Sequence, residues 1–105
     1  MVHLLNKLPQ LKEFLKTNPK VLIDFYAEWC GPCKRISPIY EQLAVSNPDI
    51  KFAKVDVDES EDIVNEYKVS SMPTFIGFKN GVPVTKFIGG DQIRLKSIID
   101  ELNKM

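Results

Sequence analysis

Leu8, Leu11, Phe14 and Leu15 recur at helical spacing, with Asn6 as the candidate cap and Pro9 in the first turn. Asn18 and Pro19 stop that helix. Residues 21–26 form a β-rich run that is apolar on both faces, the mark of a central strand covered on both sides. Helical spacing returns at Ile36, Ile39, Leu43 and Ala44, where Pro38 is expected to kink the helix and Asn47 and Pro48 to end it. Residues 52–57 read as another strand, and Ile63, Val64 and Tyr67 mark a short third helix.

The last third is patterned differently. Residues 74–78 and 82–88 are strands joined by Asn80 and Gly81, the strongest short hairpin signal. Pro83 lacks a ladder donor, so this last strand belongs at a sheet edge. Gly89 and Gly90 break the chain, Asp91 is placed to cap, and Leu95, Ile98, Ile99 and Leu102 build a final amphipathic helix. With residues 2–4 as a short first strand the order is βαβαβαββα, an α/β chain with a mixed sheet and helices on both faces. No repeat, low-complexity stretch or linker interrupts residues 1–105, which read as a single domain.

Composition narrows the function. A chain of 105 residues, 44% hydrophobic and 27% charged, buries about two thirds of its surface and needs no staples to build a core. Lys plus Arg equals Asp plus Glu at 14 each, and no basic stripe offers nucleic acid a phosphate-binding face. The first residues resemble no secretory signal, and the apolar run at Val21 is broken by Asp24, far short of the ~20 residues of a membrane span. The expected location is cytoplasmic, with no membrane partner.

Two cysteines, Cys30 and Cys33, flank Gly31 and Pro32. A closed zinc site needs four ligands, and His3 is the chain's one histidine, which leaves only a half-site completed by a second subunit. As a structural staple, a loop of about four residues contributes ~1.9 kcal/mol against ~3 for a 15-residue loop. Reversible redox chemistry is the favoured reading, with a plain tight turn as its rival. Cys30 follows the central strand and precedes a helix, where free amide N–H groups and the helix dipole stabilise a thiolate. Lowering a thiol pKa from ~8.5 to ~7 raises the thiolate fraction at pH 7 roughly 16-fold. A Brønsted slope of ~0.45 cuts intrinsic nucleophilicity about fivefold, leaving a net gain of about threefold. Proximity must therefore supply much of the rate, and Cys33, one turn away, is placed to resolve a mixed disulfide. Pro32 suits a first helical turn and brings no charge, which favours a reductant; Gly31 leaves the approach open to another backbone.

The segment Asp24-Phe25-Tyr26-Ala27-Glu28-Trp29-Cys30-Gly31-Pro32-Cys33-Lys34 resembles the active-site segment of the thioredoxin family. Pro38, residues 54–58, Met72-Pro73-Thr74, the Asn80-Gly81 hairpin and Gly89 fall in the family's order and spacing, so the resemblance covers essentially the whole chain. It implies the thioredoxin fold, a central mixed five-stranded sheet flanked by four helices. It also implies a redox-active disulfide in which Cys30 attacks and Cys33 resolves. Asp24 resembles the family's buried carboxylate, whose pKa burial raises so that it exchanges a proton with Cys33; an Asp at a wet strand end is the plainer alternative. Lys54 resembles the lysine beside that carboxylate, though such a residue also reads as a snorkelling surface lysine. Pro73 resembles the family's cis-proline facing the disulfide, where sequence alone gives trans. Met72 then offers backbone hydrogen bonds to a bound substrate strand. Trp29, Gly31, Pro32 and Gly89 join it in a substrate-receiving rim; core is the other reading of Trp29. Tyr26 departs from the family pattern, since many bacterial members carry Trp there.

The implied activity is reduction of protein disulfides, with peroxiredoxins or ribonucleotide reductase among the targets. Recycling is by a flavin-containing, NADPH-dependent thioredoxin reductase. No dinucleotide fingerprint is present, so no cofactor or metal is expected on the chain itself, and the family suggests a monomer. The rival classes are a binding module that uses the same fold as a redox-switched scaffold, and an oxidase or isomerase. Pro32 and the signal-free start weigh against the latter. A cluster-binding glutaredoxin is discounted, because the chain does not resemble its active-site pattern or glutathione site.

Overall fold

In the computed structural model, residues 1–105 form β1 (Val2–Leu4), α1 (Leu8–Thr17), β2 (Lys20–Tyr26), α2 (Gly31–Ser46), β3 (Lys51–Asp56), α3 (Glu61–Tyr67), β4 (Thr74–Lys79), β5 (Val82–Ile88) and α4 (Gln92–Asn103). The five strands make one sheet in the order β1-β3-β2-β4-β5. β1 and β2 run parallel to β3, β4 is antiparallel to β2, and β5 is antiparallel to β4. The expected mixed sheet with four helices is therefore the observed architecture. Helical connections supply the parallel pairs, and a tight hairpin joins the antiparallel β4 and β5, as each geometry requires. Asn80 and Gly81 turn that hairpin with φ of 52° and 82°, the left-handed conformations of a type I′ turn. Pro83 lies on the edge strand β5, beside the register shift at Gly77 and Phe78.

The central strand divides the core. Val21, Ile23 and Phe25 point into one apolar cluster with Leu11 and Leu15 of α1 and Ile63 of α3. Leu22 points the other way, into a cluster with Ile36, Tyr40 and Ala44 of α2 and Leu95, Ile98, Ile99 and Leu102 of α4. Side chains alternate along a strand, so Asp24 shares the α2 face with Leu22. Tyr40 ties that helix to the sheet: its phenol oxygen lies 2.7 Å from the carbonyl of Ala53 and 3.0 Å from that of Leu22.

Two local expectations are corrected. Asn6 does not cap α1: Lys7 occupies the cap without a side-chain bond, and Asp62 of α3 instead accepts from the Leu8 N–H at 2.8 Å. The Asn6 N–H donates to Gln10 Oε1 at 2.8 Å. β3 ends at Asp56, because Val57 turns its N–H onto the Tyr26 carbonyl as the chain leaves the sheet. Asp91 caps α4 as expected, accepting from the Ile93 and Arg94 N–H groups.

Candidate active site

The parallel strand β2 ends at Tyr26, and Cys30 caps the N-terminus of α2 four residues later. Its Sγ accepts from the Cys33 N–H at 3.2 Å, one of the donors a helix leaves unpaired in its first turn. Cys30 and Cys33 are joined as a disulfide, with Cα atoms 5.2 Å apart. The Met72 carbonyl oxygen lies 3.6 Å from Cys30 Sγ on the other side. Only 5% of the Cys30 surface is open, with Ala27, Tyr26 and Met72 packed around the pair.

A rim surrounds this covered disulfide. Trp29 is 68% exposed, which removes the core alternative, and its Nε1–H donates to Asp58 Oδ2 at 3.0 Å. Gly31 and Pro32 are exposed on the first turn of α2. The Met72–Pro73 peptide bond is cis, as the resemblance implied and composition did not. Gly89 has φ of +119°, a conformation that suits glycine, and its N–H donates to the Pro73 carbonyl at 2.9 Å. The N–H of Met72 makes no hydrogen bond within the chain.

Behind the disulfide lies a cavity of about 170 Å³ lined by Asp24, Cys33, Ser37, Lys54, Tyr26 and Ala27 among others. That volume holds water readily. Asp24 is 5% exposed and its Oδ1 has no hydrogen-bond partner in the protein. Burial pushes the carboxyl up to about 7 from 3.8, opposed by the positive charge of Lys54. Asp24 and Lys54 are register partners in the parallel ladder, which puts the lysine on the same face. The two form no ion pair; the Lys54 ammonium lies over the Tyr26 ring, 5.7 Å from its centroid. Burial also raises the Tyr26 phenol, with help from the Asp56, Glu28 and Asp24 charges.

Asp58 and Ser37 belong to this neighbourhood and were given no role from sequence. A signal existed for Ser37, which lies four residues after Cys33 and hence on the same helix face. Asp58 offered none, because only the folded β3–α3 turn brings it to Trp29. No cluster of three or more His, Cys, Asp or Glu side chains is placed to hold a metal ion, and no helix is long and apolar enough to cross a membrane.

A cysteine pair across the first turn of a helix, beside a cis-proline and backed by a buried carboxylate, defines a dithiol–disulfide oxidoreductase. Comparison with known proteins specifies which kind. The thioredoxin family model matches residues 3–101. The thioredoxin of Mycoplasmoides gallisepticum is 48% identical over 85% of this chain and 88% of its own length. Mitochondrial thioredoxin-3 of Saccharomyces cerevisiae is 44% identical over 93% of this chain and 77% of its own. The solved thioredoxin of Plasmodium falciparum superposes with a TM-score of 0.93 at 38% identity, covering 95% of this chain and 98% of the other. A further structure, at TM-score 0.91 and 41% identity over 95% of this chain and 94% of the other, comes from work on thiol resolution in a yeast mitochondrial 1-Cys peroxiredoxin. The chain belongs to the thioredoxin family. Its redox-active cysteine pair is that of a protein-disulfide reductase.

Proposed function

We propose that the reduced protein attacks target disulfides through Cys30 and releases them through Cys33. The Cys30 thiolate forms a bond to one target sulfur, and the other leaves as a thiolate that takes up a proton from water. Cys33 then loses its proton, attacks Cys30 Sγ, and frees the second target thiol. The observation that carries this reading is the Cys30–Cys33 pair itself, with Cys30 at the helix N-terminus and Cys33 against the Asp24 cavity. Asp24 takes the Cys33 proton, for which an acid titrating near 7 is suited at neutral pH. Lys54 tempers that acid by its charge. Trp29, Gly31, Pro32, Met72, Pro73 and Gly89 receive an extended target segment, whose backbone the free Met72 N–H pairs in the manner of an added strand.

Electrons reach the oxidised pair from NADPH through thioredoxin reductase, and the targets are disulfide-containing proteins such as peroxiredoxins or ribonucleotide reductase. The peroxiredoxin studied alongside a structural neighbour supports that target class. A cytosolic site of action completes the proposal. One relative is mitochondrial, and cell fractionation distinguishes the two reducing compartments.

The test is NADPH oxidation coupled through a thioredoxin reductase to reduction of a protein disulfide. Cys30→Ser is expected to abolish turnover, whereas Cys33→Ser halts it at a trapped mixed disulfide. A Cys30–Cys33 reduction potential near −270 mV, characteristic of thioredoxins, supports the reading; one near −180 mV moves the protein to the isomerase side.

A further inference from the structure

Three other Ser and Thr hydroxyls stand on the helices, and two of them are satisfied locally. Thr17 and Ser46 bond back to the carbonyls four residues earlier, Glu13 and Gln42. Ser37 makes no such bond to the Cys33 carbonyl, nor any other within the protein; instead it lines the cavity that Asp24 and Cys33 share. Asp24 lines the same cavity, and its buried Oδ1 is likewise without a partner. Buried carboxylate oxygens are rarely left unpaired, so an acceptor and a free hydroxyl facing one small cavity form a natural couple. Position 37 lies one turn beyond Cys33, and the following Pro38 has no N–H with which to hold the Lys34 carbonyl.

We propose that Ser37 relays the proton between Cys33 and Asp24 across this cavity during resolution of the mixed disulfide. The inference rests on the reading of Cys33 as the resolving thiol. In the step, the Cys33 S–H proton passes to Ser37 Oγ while the Ser37 hydroxyl proton passes to the Asp24 carboxylate, each through water in the cavity, since Ser37 bonds neither group directly. The Cys33 sulfur bonds to Cys30 Sγ, the bond between Cys30 Sγ and the target sulfur breaks, and the target leaves as a thiolate that takes up a proton. Two electrons move from the cysteine pair to the target. The hydroxyl is suited to this because it donates and accepts at once, which neither alanine nor an aliphatic residue can do.

Other titratable groups lie around Asp24 and its cavity. They are Lys54 from β3, Tyr26 from its own strand, Glu28 beyond that strand, and Lys34 and Tyr40 from α2. β4 contributes the uncharged Phe75 opposite it. A loss caused by Ser37 must therefore be separated from a general disturbance of the site. The experiment is single-turnover reduction of a peptide disulfide, followed by Trp29 fluorescence from pH 5 to 9. At low peptide concentration the rate reports attack by Cys30, and at saturation it reports resolution. In Ser37→Ala the saturating rate at pH 7 is expected to fall about tenfold, less than the roughly hundredfold or more of a lost general acid or base, because water takes the hydroxyl's place. The gap narrows to less than about threefold at pH 9, where bulk hydroxide takes the Cys33 proton, and Ser37→Thr restores the rate to within about twofold. A saturating rate for Ser37→Ala within twofold of wild type across the range overturns the relay. So does a deficit that is equal at pH 7 and pH 9, or a threonine variant as slow as alanine. Wild-type protein that never leaves the mixed disulfide overturns the resolving role of Cys33 instead.

Discussion

Phe25 and Asp24 are neighbours on one strand, almost equally buried at 0% and 5%, yet they face opposite sides of the sheet. On Phe25's side the cluster is apolar, the one buried hydroxyl beside it, Thr74, is satisfied by the Ser71 carbonyl, and Tyr67 stands 6.4 Å away, centroid to centroid. On Asp24's side the apolar cluster gives way, towards the end of the strand, to a carboxyl, a lysine and a disulfide around a cavity. Burial of Phe25 stabilises the fold by removing apolar surface from water. Burial of Asp24 does the reverse, because its charged form is held out of water with no hydrogen bond to Oδ1. The same degree of burial thus strengthens one face and tunes a proton acceptor on the other.

Opposite signs of mutational effect follow. Phe25→Ala is expected to lower stability by about 3–5 kcal/mol, equally at pH 5 and pH 8, since the ring that is removed carries no proton to gain or lose. Asp24→Asn is expected to raise stability. Its native pKa of about 7 lies above the unfolded value of 3.8, so between those values the folded state holds a proton that the unfolded state has lost. Stability therefore falls as pH rises through that window, by up to about 4 kcal/mol above pH 7, and the asparagine variant escapes the loss. The gain is largest at pH 8, less than half as large at pH 5, and gone below about pH 4. Urea titrations of both variants at these pH values check the pair, and an Asp24→Asn gain that does not change with pH refutes the account of the carboxyl. The same variant is expected to slow resolution of mixed disulfides while leaving the attack step intact.

What the chain declares of this contrast is uneven. Apolar spacing located the four helices, and local chemistry located the hairpin and the Asp91 cap, because each depends on residues adjacent in sequence. The Cys30–Cys33 pair at a strand-to-helix junction was legible for the same reason. The α1 cap was misread because its acceptor, Asp62, lies 54 residues away, and a local Asn6 was the only candidate in view. Likewise, the exposure of Cys30 could not be judged without Met72, which a distant loop brings against it. The cis Met72–Pro73 bond came from resemblance alone, since a dipeptide's own preference is trans. The cavity has no signature in the sequence: it is a gap between two strands and a helix, and its members Asp24, Ser37 and Lys54 are read singly as a strand end, a helix surface and a snorkelling lysine.

Lys54 supplies the smallest and sharpest test of the two-faced strand. Its ammonium lowers the Asp24 pKa from across the ladder without forming an ion pair, and it also rests over the Tyr26 ring. Lys54→Met removes both interactions, but only one depends on pH. The contact with Tyr26 is lost equally at pH 5 and pH 8. The charge on Asp24 is present only at the higher pH, so loss of the lysine's attraction appears only there. The expected penalty at pH 8 beyond that at pH 5 is about 1 kcal/mol, as befits a partly solvated charge at several ångströms. The Asp24 titration midpoint, followed by carboxyl-carbon NMR, is expected to move above about 7, and Lys54→Arg to restore it. A midpoint unmoved in Lys54→Met would mean that desolvation alone sets the acid, and that the face behind the disulfide is tuned by its depth rather than by its charges.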